Sequence, residues 1–179
     1  MGNFRPLILL HPIQGGEIIV VDRHNHRVQV FDGTGKFLWK FGSQGSGKGE
    51  LVYPSGITFD PRNNQIVVVD QGNHRIQIFD EKGTFIRTFG SEDNDDGRLI
   101  DPSGVAIDQE GNYVVSNDFC IQVFDSAGKF LRKFGSKGNG NGQFKTSSWC
   151  WSFVKWKCCG GRFPRQMANV KSSNQWATL

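Results

Sequence analysis

Asp70-Gln71-Gly72-Asn73-His74-Arg75-Ile76-Gln77-Ile78-Phe79-Asp80 decides the fold, because the chain writes it more than once. Asp22-Arg23-His24-Asn25-His26-Arg27-Val28-Gln29-Val30-Phe31-Asp32 is its twin, and Ile121-Gln122-Val123-Phe124-Asp125 closes a shortened third copy. The spacing extends beyond the motif. Asp22 to Asp70, Gly42 to Gly90 and Pro54 to Pro102 are each 48 residues, while Phe79 to Phe124 and Gly90 to Gly135 are each 45. Periods of this length belong to propellers and solenoids, whose units bury a face against a neighbour and therefore repeat.

Within the second unit the apolar residues fall into four short runs: Gly56-Ile57-Thr58-Phe59, Ile66-Val67-Val68-Val69, Ile76-Gln77-Ile78-Phe79 and Thr84-Phe85-Ile86-Arg87-Thr88-Phe89. They are rich in β-branched and aromatic residues, and the last two alternate, which is the period of a strand. Turn formers separate them at Asp60 to Asn64, Asp70 to Asn73 and Glu81 to Gly83. Four strands per period joined by short turns make one antiparallel sheet, a propeller blade. A leucine-rich solenoid would carry one strand in a shorter repeat. The predicted fold is all-β, a β-propeller segment of about three four-stranded blades over residues 16–146. Residues 1–15 supply a lead-in and part of a first strand, with Ile8 where the later units place Gly56 and Gly104.

The run from Val20-Val21-Asp22 through Asn25-His26-Arg27 to Asp32, followed by Gly35-Lys36-Phe37-Leu38 and Phe41-Gly42-Ser43, resembles the NHL repeat. With Tyr53-Pro54-Ser55-Gly56-Ile57 added, the longer form is similar to the C-terminal NHL domains of tripartite-motif (TRIM) proteins and the brain tumor family. The resemblance spans roughly Gly16 to Thr146. It implies a six-bladed propeller, of which this chain holds about three, that binds protein or RNA without a cofactor. A cytoplasmic location is expected because the body carries a single cysteine, Cys120, as suits a reducing compartment. The resemblance also implies a parent protein with N-terminal tripartite-motif modules. There the propeller would be the recruiting arm of a ubiquitin ligase or a translational regulator. The ligase chemistry of such proteins belongs to a RING, whose closely spaced Cys and His ligands do not stand in this sequence. The alternative is a metal-dependent propeller enzyme related to the peptide-amidating lyase, but no convergent carboxylate and His set stands out. No catalytic, cofactor or metal residue is therefore expected.

The formal charge of +4 invites a nucleic-acid reading, so its location matters. From Ser147 onward there are five basic residues (Lys155, Lys157, Arg162, Arg165, Lys171) and no acidic ones, which leaves 16 basic against 17 acidic before it. The repeats themselves are close to neutral. Cys150, Cys158 and Cys159 share that tail without the paired spacing of a zinc site. Leu7-Ile8-Leu9-Leu10 is too short for a signal core or a membrane span, so no membrane partner is expected.

The repeat stops after Thr146, where Pro-x-Gly-Val should follow and Ser147-Ser148-Trp149-Cys150 stands instead. Read one base out of frame, the single Trp codon forces glycine at Trp149–Cys150 and again at Trp156–Lys157. These are 7 apart, as are Gly104 and Gly111. Residues 147–179 are thus expected to be an out-of-frame, disordered remnant of a fourth blade, the alternative being a true C-terminus of different sequence.

Candidate ligand-surface residues are the loop cations Arg27, Lys48, Arg75, Arg98 and Lys137, with Tyr53 as a stacking platform. Glu92, Asp93, Asp95 and Asp96 make one linking loop acidic, which disfavours phosphate there. Asp22 with Arg27 and Asp70 with Arg75 are expected to pair across a turn as structural braces. The third copy has Asn117 for the Asp and has lost the Arg in its shorter turn Asp118-Phe119-Cys120, so both partners vanish together. His24, His26 and His74 are expected at solvated turn positions, and Cys120 as a small buried hydrophobe.

Overall fold

A computed structural model describes residues 10–12, 16–91 and 97–145. The readings placed on Ile8, on the acidic run 92–96 and on residues 147–179 lie outside the described residues.

Three four-stranded antiparallel sheets follow one another, each with its strands in chain order. The first contains β1 (Leu10–Pro12), β2 (Ile18–Asp22), β3 (Arg27–Phe31) and β4 (Phe37–Phe41). The second contains β5 (Ile57–Asp60), β6 (Gln65–Asp70), β7 (Arg75–Phe79) and β8 (Phe85–Phe89). The third contains β9 (Pro102–Ile107), β10 (Tyr113–Asn117), β11 (Cys120–Phe124) and β12 (Phe130–Phe134). A short parallel pair, β13 (Ser136–Lys137) with β14 (Gln143–Phe144), follows the third sheet. The protein is an all-β propeller segment, and the strand runs read from the sequence match β5 to β8 to within a residue or two.

Burial explains the two kinds of strand pattern. In the middle blade Ile66, Val67, Val68 and Val69 are all fully buried, because alternate side chains meet different neighbours. Ile66 and Val68 join Ile19, Val21, Val28, Val30 and Phe41 of the first blade. Val67 and Val69 join Phe89, Leu99, Val105, Tyr113, Val115 and Phe124 toward the third. The equally apolar Ile18-Ile19-Val20-Val21 alternates between half-buried and buried, since only one of its faces is covered. Each fully buried Val or Ile contributes about 1.5–3 kcal/mol over an exposed one. Near the inner strands the blades touch through glycine: a Cβ on Gly56 would lie 2.9 Å from the Gly104 Cα.

The Asp that ends each motif copy turns the chain into its outer strand. Asp32 Oδ1 accepts from the Thr34 and Lys36 amides, Asp80 Oδ1 from Lys82 and Thr84, and Asp125 Oδ1 from Ala127 and Lys129. The Thr34 hydroxyl, which also donates to Asp32 Oδ1, acts with the amides to hold the Asp32 carboxyl below the usual carboxylate range, and the Thr84 and Lys82 amides do the same for Asp80.

Because the four strands alternate in direction, the β2–β3, β6–β7 and β10–β11 turns share one face of the propeller with the segments that link successive blades. That linker face carries most of the residues singled out in the sequence.

Candidate functional site

The repeated motif folds into a carboxylate cage. Asp70 Oδ2 accepts from Asn73 Nδ2 (2.8 Å), Arg75 Nε (2.8 Å) and Gln77 Nε2 (2.9 Å), donors three, five and seven residues on. Its Oδ1 accepts from the Val52 amide at 2.7 Å, so the preceding linker is tied to the same group. The rest of the linker wraps the motif. Arg75 donates to the carbonyls of Ser46, Gly47 and Glu50, Asn73 to that of Gly45, and the Gly49 amide to Gln77 Oε1. His74, at φ 55°, supplies the left-handed turn that returns the chain into β7.

In the first blade the cage repeats around Asp22, with Asn25 at 2.9 Å, Arg27 at 2.8 Å and Gln29 at 2.9 Å. Burial works to raise the Asp22 pKa, but the bonds from Arg27, Asn25 and Gln29 and the Arg27 charge outweigh it and hold the carboxyl low. No described linker wraps this copy. The Asp22 side chain is accordingly 20 % exposed, against 0 % for Asp70.

The third copy replaces the charge pair with an amide. Asn117 Oδ1 accepts from the Ile100 amide at 2.7 Å, and its Nδ2 donates to the Arg98 carbonyl at 3.4 Å. A neutral amide brings its own donor, so no Arg is needed, and Cys120 sits where Arg27 and Arg75 sit, paired in register with Asn117. Cys120 is half-buried rather than buried, its thiol pKa raised by desolvation.

The guanidinium of Arg75 is therefore held inside the cage and not presented to a ligand; that of Arg27, wrapped by no described linker, is partly open. Asn25, Gln29, Asn73 and Gln77 are cage members with no local mark of that role in the sequence. The available signal was a Gln recurring at 29, 77 and 122 inside an apolar strand.

The exposed part of the linker face centres on Tyr53, which is 45 % exposed at φ 46°. Its amide donates to His26 Nδ1 at 3.1 Å, the His26 ring lies 4.7 Å away, and the His24 ring stands edge-on at 6.2 Å. His26 is thus buried under Tyr53, not solvated as its turn position suggests; His24 and His74 are exposed. Arg23 stacks on Tyr53 at 5.6 Å, donates to its carbonyl at 3.0 Å and reaches Gln71 Oε1 in the next blade. Gln71 in turn donates to Asp101. A second cation–aromatic pair lies at the third blade, where Lys137 Nζ sits 4.7 Å from the Phe119 ring. Lys48, Arg98 and Lys137 are exposed, one on each linker, so the structure spreads them in an arc and does not gather them at a point.

On the opposite face a cleft between the first two blades is lined by Glu17, Trp39, Lys40, Phe59, Asn64, Glu81 and Lys82. Among the described residues no three His, Cys, Asp or Glu side chains are grouped to hold a metal ion. No helix among them is long and apolar enough to cross a membrane.

A family described as a 6-bladed beta-propeller matches residues 12–89. The protein brain tumor of Drosophila melanogaster is 44 % identical over 41 residues, covering 23 % of this chain and 4 % of that protein. The RING finger protein nhl-1 of Caenorhabditis elegans is 44 % identical over 45 residues, covering 25 % of this chain and 5 % of that protein. The chain thus spans a small part of the length of these relatives. Among solved structures, an exported protein of Bacteroides fragilis aligns with a TM-score of 0.60 at 21 % identity, covering 77 % of this chain and 40 % of that one. These likenesses agree with the propeller fold and with similarity to NHL-containing proteins.

Proposed function

We propose that the chain is a non-catalytic recognition module of NHL type whose linker face binds single-stranded RNA. The observation that carries this is the repetition of one device on one face, a cation held over a partly exposed aromatic ring, at Arg23–Tyr53 and at Lys137–Phe119. Bases stack on such rings, and exposed cations along the same arc follow the phosphates. Lys48 and Arg98 extend the arc between them. In a longer protein that also carries a RING, such a propeller would act as the recruiting arm.

A protein segment is the second reading, favoured by Ile100, which is exposed beside Asp101 on the same face. Fluorescence anisotropy with a labelled single-stranded RNA, at low and high salt, tests the choice. Tyr53→Ala should weaken binding by about 5- to 150-fold, equivalent to about 1–3 kcal/mol for a stacked base, and Lys137→Ala should weaken binding and reduce its dependence on salt. Unmeasurable RNA binding at low salt, or binding indifferent to both substitutions, would defeat the RNA reading and leave the protein segment.

A further inference from the structure

Asp101 puts a carboxylate on the linker face beside the Tyr53 platform. Tyr53 and Asp101 occupy the same position of successive units, 48 residues apart, and so do Arg23 and Gln71. Arg23 stacks on the Tyr53 ring and donates to its carbonyl, and Gln71 donates to Asp101 Oδ1. Arg23 also donates to Gln71 Oε1. One relay, two side chains long, therefore joins the aromatic ring to the carboxylate across the middle blade.

The relay fixes the direction of the carboxylate. With its Oε1 taken by a guanidinium, Gln71 has only Nε2 to give, and Oδ1 receives it. The Asp101 backbone is held on both sides: its amide donates to Asn117 Oδ1 at 3.2 Å, and its carbonyl accepts from the Asp118 amide at 3.2 Å. Asp101 stays exposed all the same. It forms no salt bridge among the described residues, and its Oδ2 accepts no hydrogen bond from them. Both oxygens keep lone pairs for a ligand, and the group is already in place to use them.

Phosphate is repelled there, because like charges repel. Base edges differ in what they offer. The Watson–Crick edge of guanine carries two donors side by side, N1–H and N2–H, which match the two oxygens of a carboxylate. Adenine and cytosine set one amino group beside a bare ring nitrogen, and uracil sets its one N–H between two carbonyls. Those acceptors face a carboxylate unfavourably.

We propose that Asp101 is a specificity-determining residue of the linker face and selects guanosine in the strand that stacks on Tyr53. This selection rests on single-stranded RNA being the ligand of that face, and adds the base to it. The base on Tyr53, or its neighbour in the strand, brings its edge to Asp101, whose oxygens accept from N1–H and N2–H. Gln71 is a positioning residue that holds Oδ1 in place.

Fluorescence anisotropy with a labelled oligouridine tests this, with one guanosine, adenosine, cytidine or inosine moved through the strand a position at a time. In one register guanosine should bind about 5- to 150-fold more tightly than uridine, the discrimination of a bidentate pair. Inosine, which keeps N1–H and lacks the 2-amino group, should fall between them. Asp101→Asn should erase the guanosine preference and tighten plain oligouridine, because a charge that repels phosphate is gone. That binding also reports that the variant is folded. Gln71→Leu, which frees the carboxylate without removing its charge, should shrink the preference and give no tightening. No binding of any strand at low salt would defeat the RNA reading and the selection with it. Strands bound alike whatever the base, a preference for another base, a guanosine preference that survives Asp101→Asn, or oligouridine weakened by that change would overturn the selection alone.

Discussion

Arg75 reaches Asp70 at 2.8 Å inside a shell in which the carboxylate is wholly covered, and three carbonyls of the preceding linker take the remaining guanidinium donors. The pair therefore binds two chain segments as well as one turn. Removing one member strands the other without water.

Arg75→Ala should cost about 3–5 kcal/mol in urea unfolding, the range for breaking a buried pair. Arg27→Ala should cost about 1 kcal/mol or less, because its partner is partly solvated. Equal losses at the two sites would contradict this account.

The third blade suggests a rescue. Asp70→Asn combined with Arg75→Cys copies the Asn117–Cys120 pair, and should be more stable than Arg75→Cys alone by about 1–3 kcal/mol, the coupling typical of touching groups. A double-mutant cycle measures this directly, and a sum of the two single losses would contradict it.

Phe41→Ala removes a ring packed between the first two blades, 4.8 Å from Phe79, and should cost about 3–5 kcal/mol. Gly83→Ala should be harmful for a related reason: the added methyl would lie 2.7 Å from the Phe41 Cβ at a backbone φ of 78°. Gly35→Ala meets none of the described residues within 4 Å and should cost only the conformational strain of about 1–2 kcal/mol. Thermal melts of the two glycine variants compare them.

Asp60 gives a pH signature. Arg62 grips it with two 2.8 Å bonds, and these hold its carboxyl below 3.8 although burial acts in the opposite direction. A native pKa below the unfolded one stabilises the fold at any pH above 3.8, and this contribution disappears as pH falls through the lowered native value. Asp60→Asn should flatten that part of the acid limb by about 1 kcal/mol or less, discounted because Arg62 is itself largely solvated. Stability measured from pH 5 downward would show it.

Blade number, strand order and the Asp–Arg braces were legible because each is written at a fixed period, and period is what a repeat fold obeys. The rest depends on which residue of one unit faces which of another. Asn73 looked like an ordinary turn residue and Gln77 like the polar phase of a strand, since nothing local shows that both aim at Asp70. His26 looked solvated by analogy with His74. Tyr53, 27 residues away in the chain, covers one and not the other. Lys137 stands out in the sequence by its charge alone; its seat over Phe119 depends on how the last linker folds back.

The unequal covering of the blades also sets an order of events. Strands adjacent in sequence build each sheet, so a blade can assemble from short loop closures before it meets its neighbours. Val67, Val68 and Val69 are sealed from both sides, and their amides can exchange with solvent only when the whole array opens. The middle blade is thus the kinetic lock of the molecule, the last part to unravel.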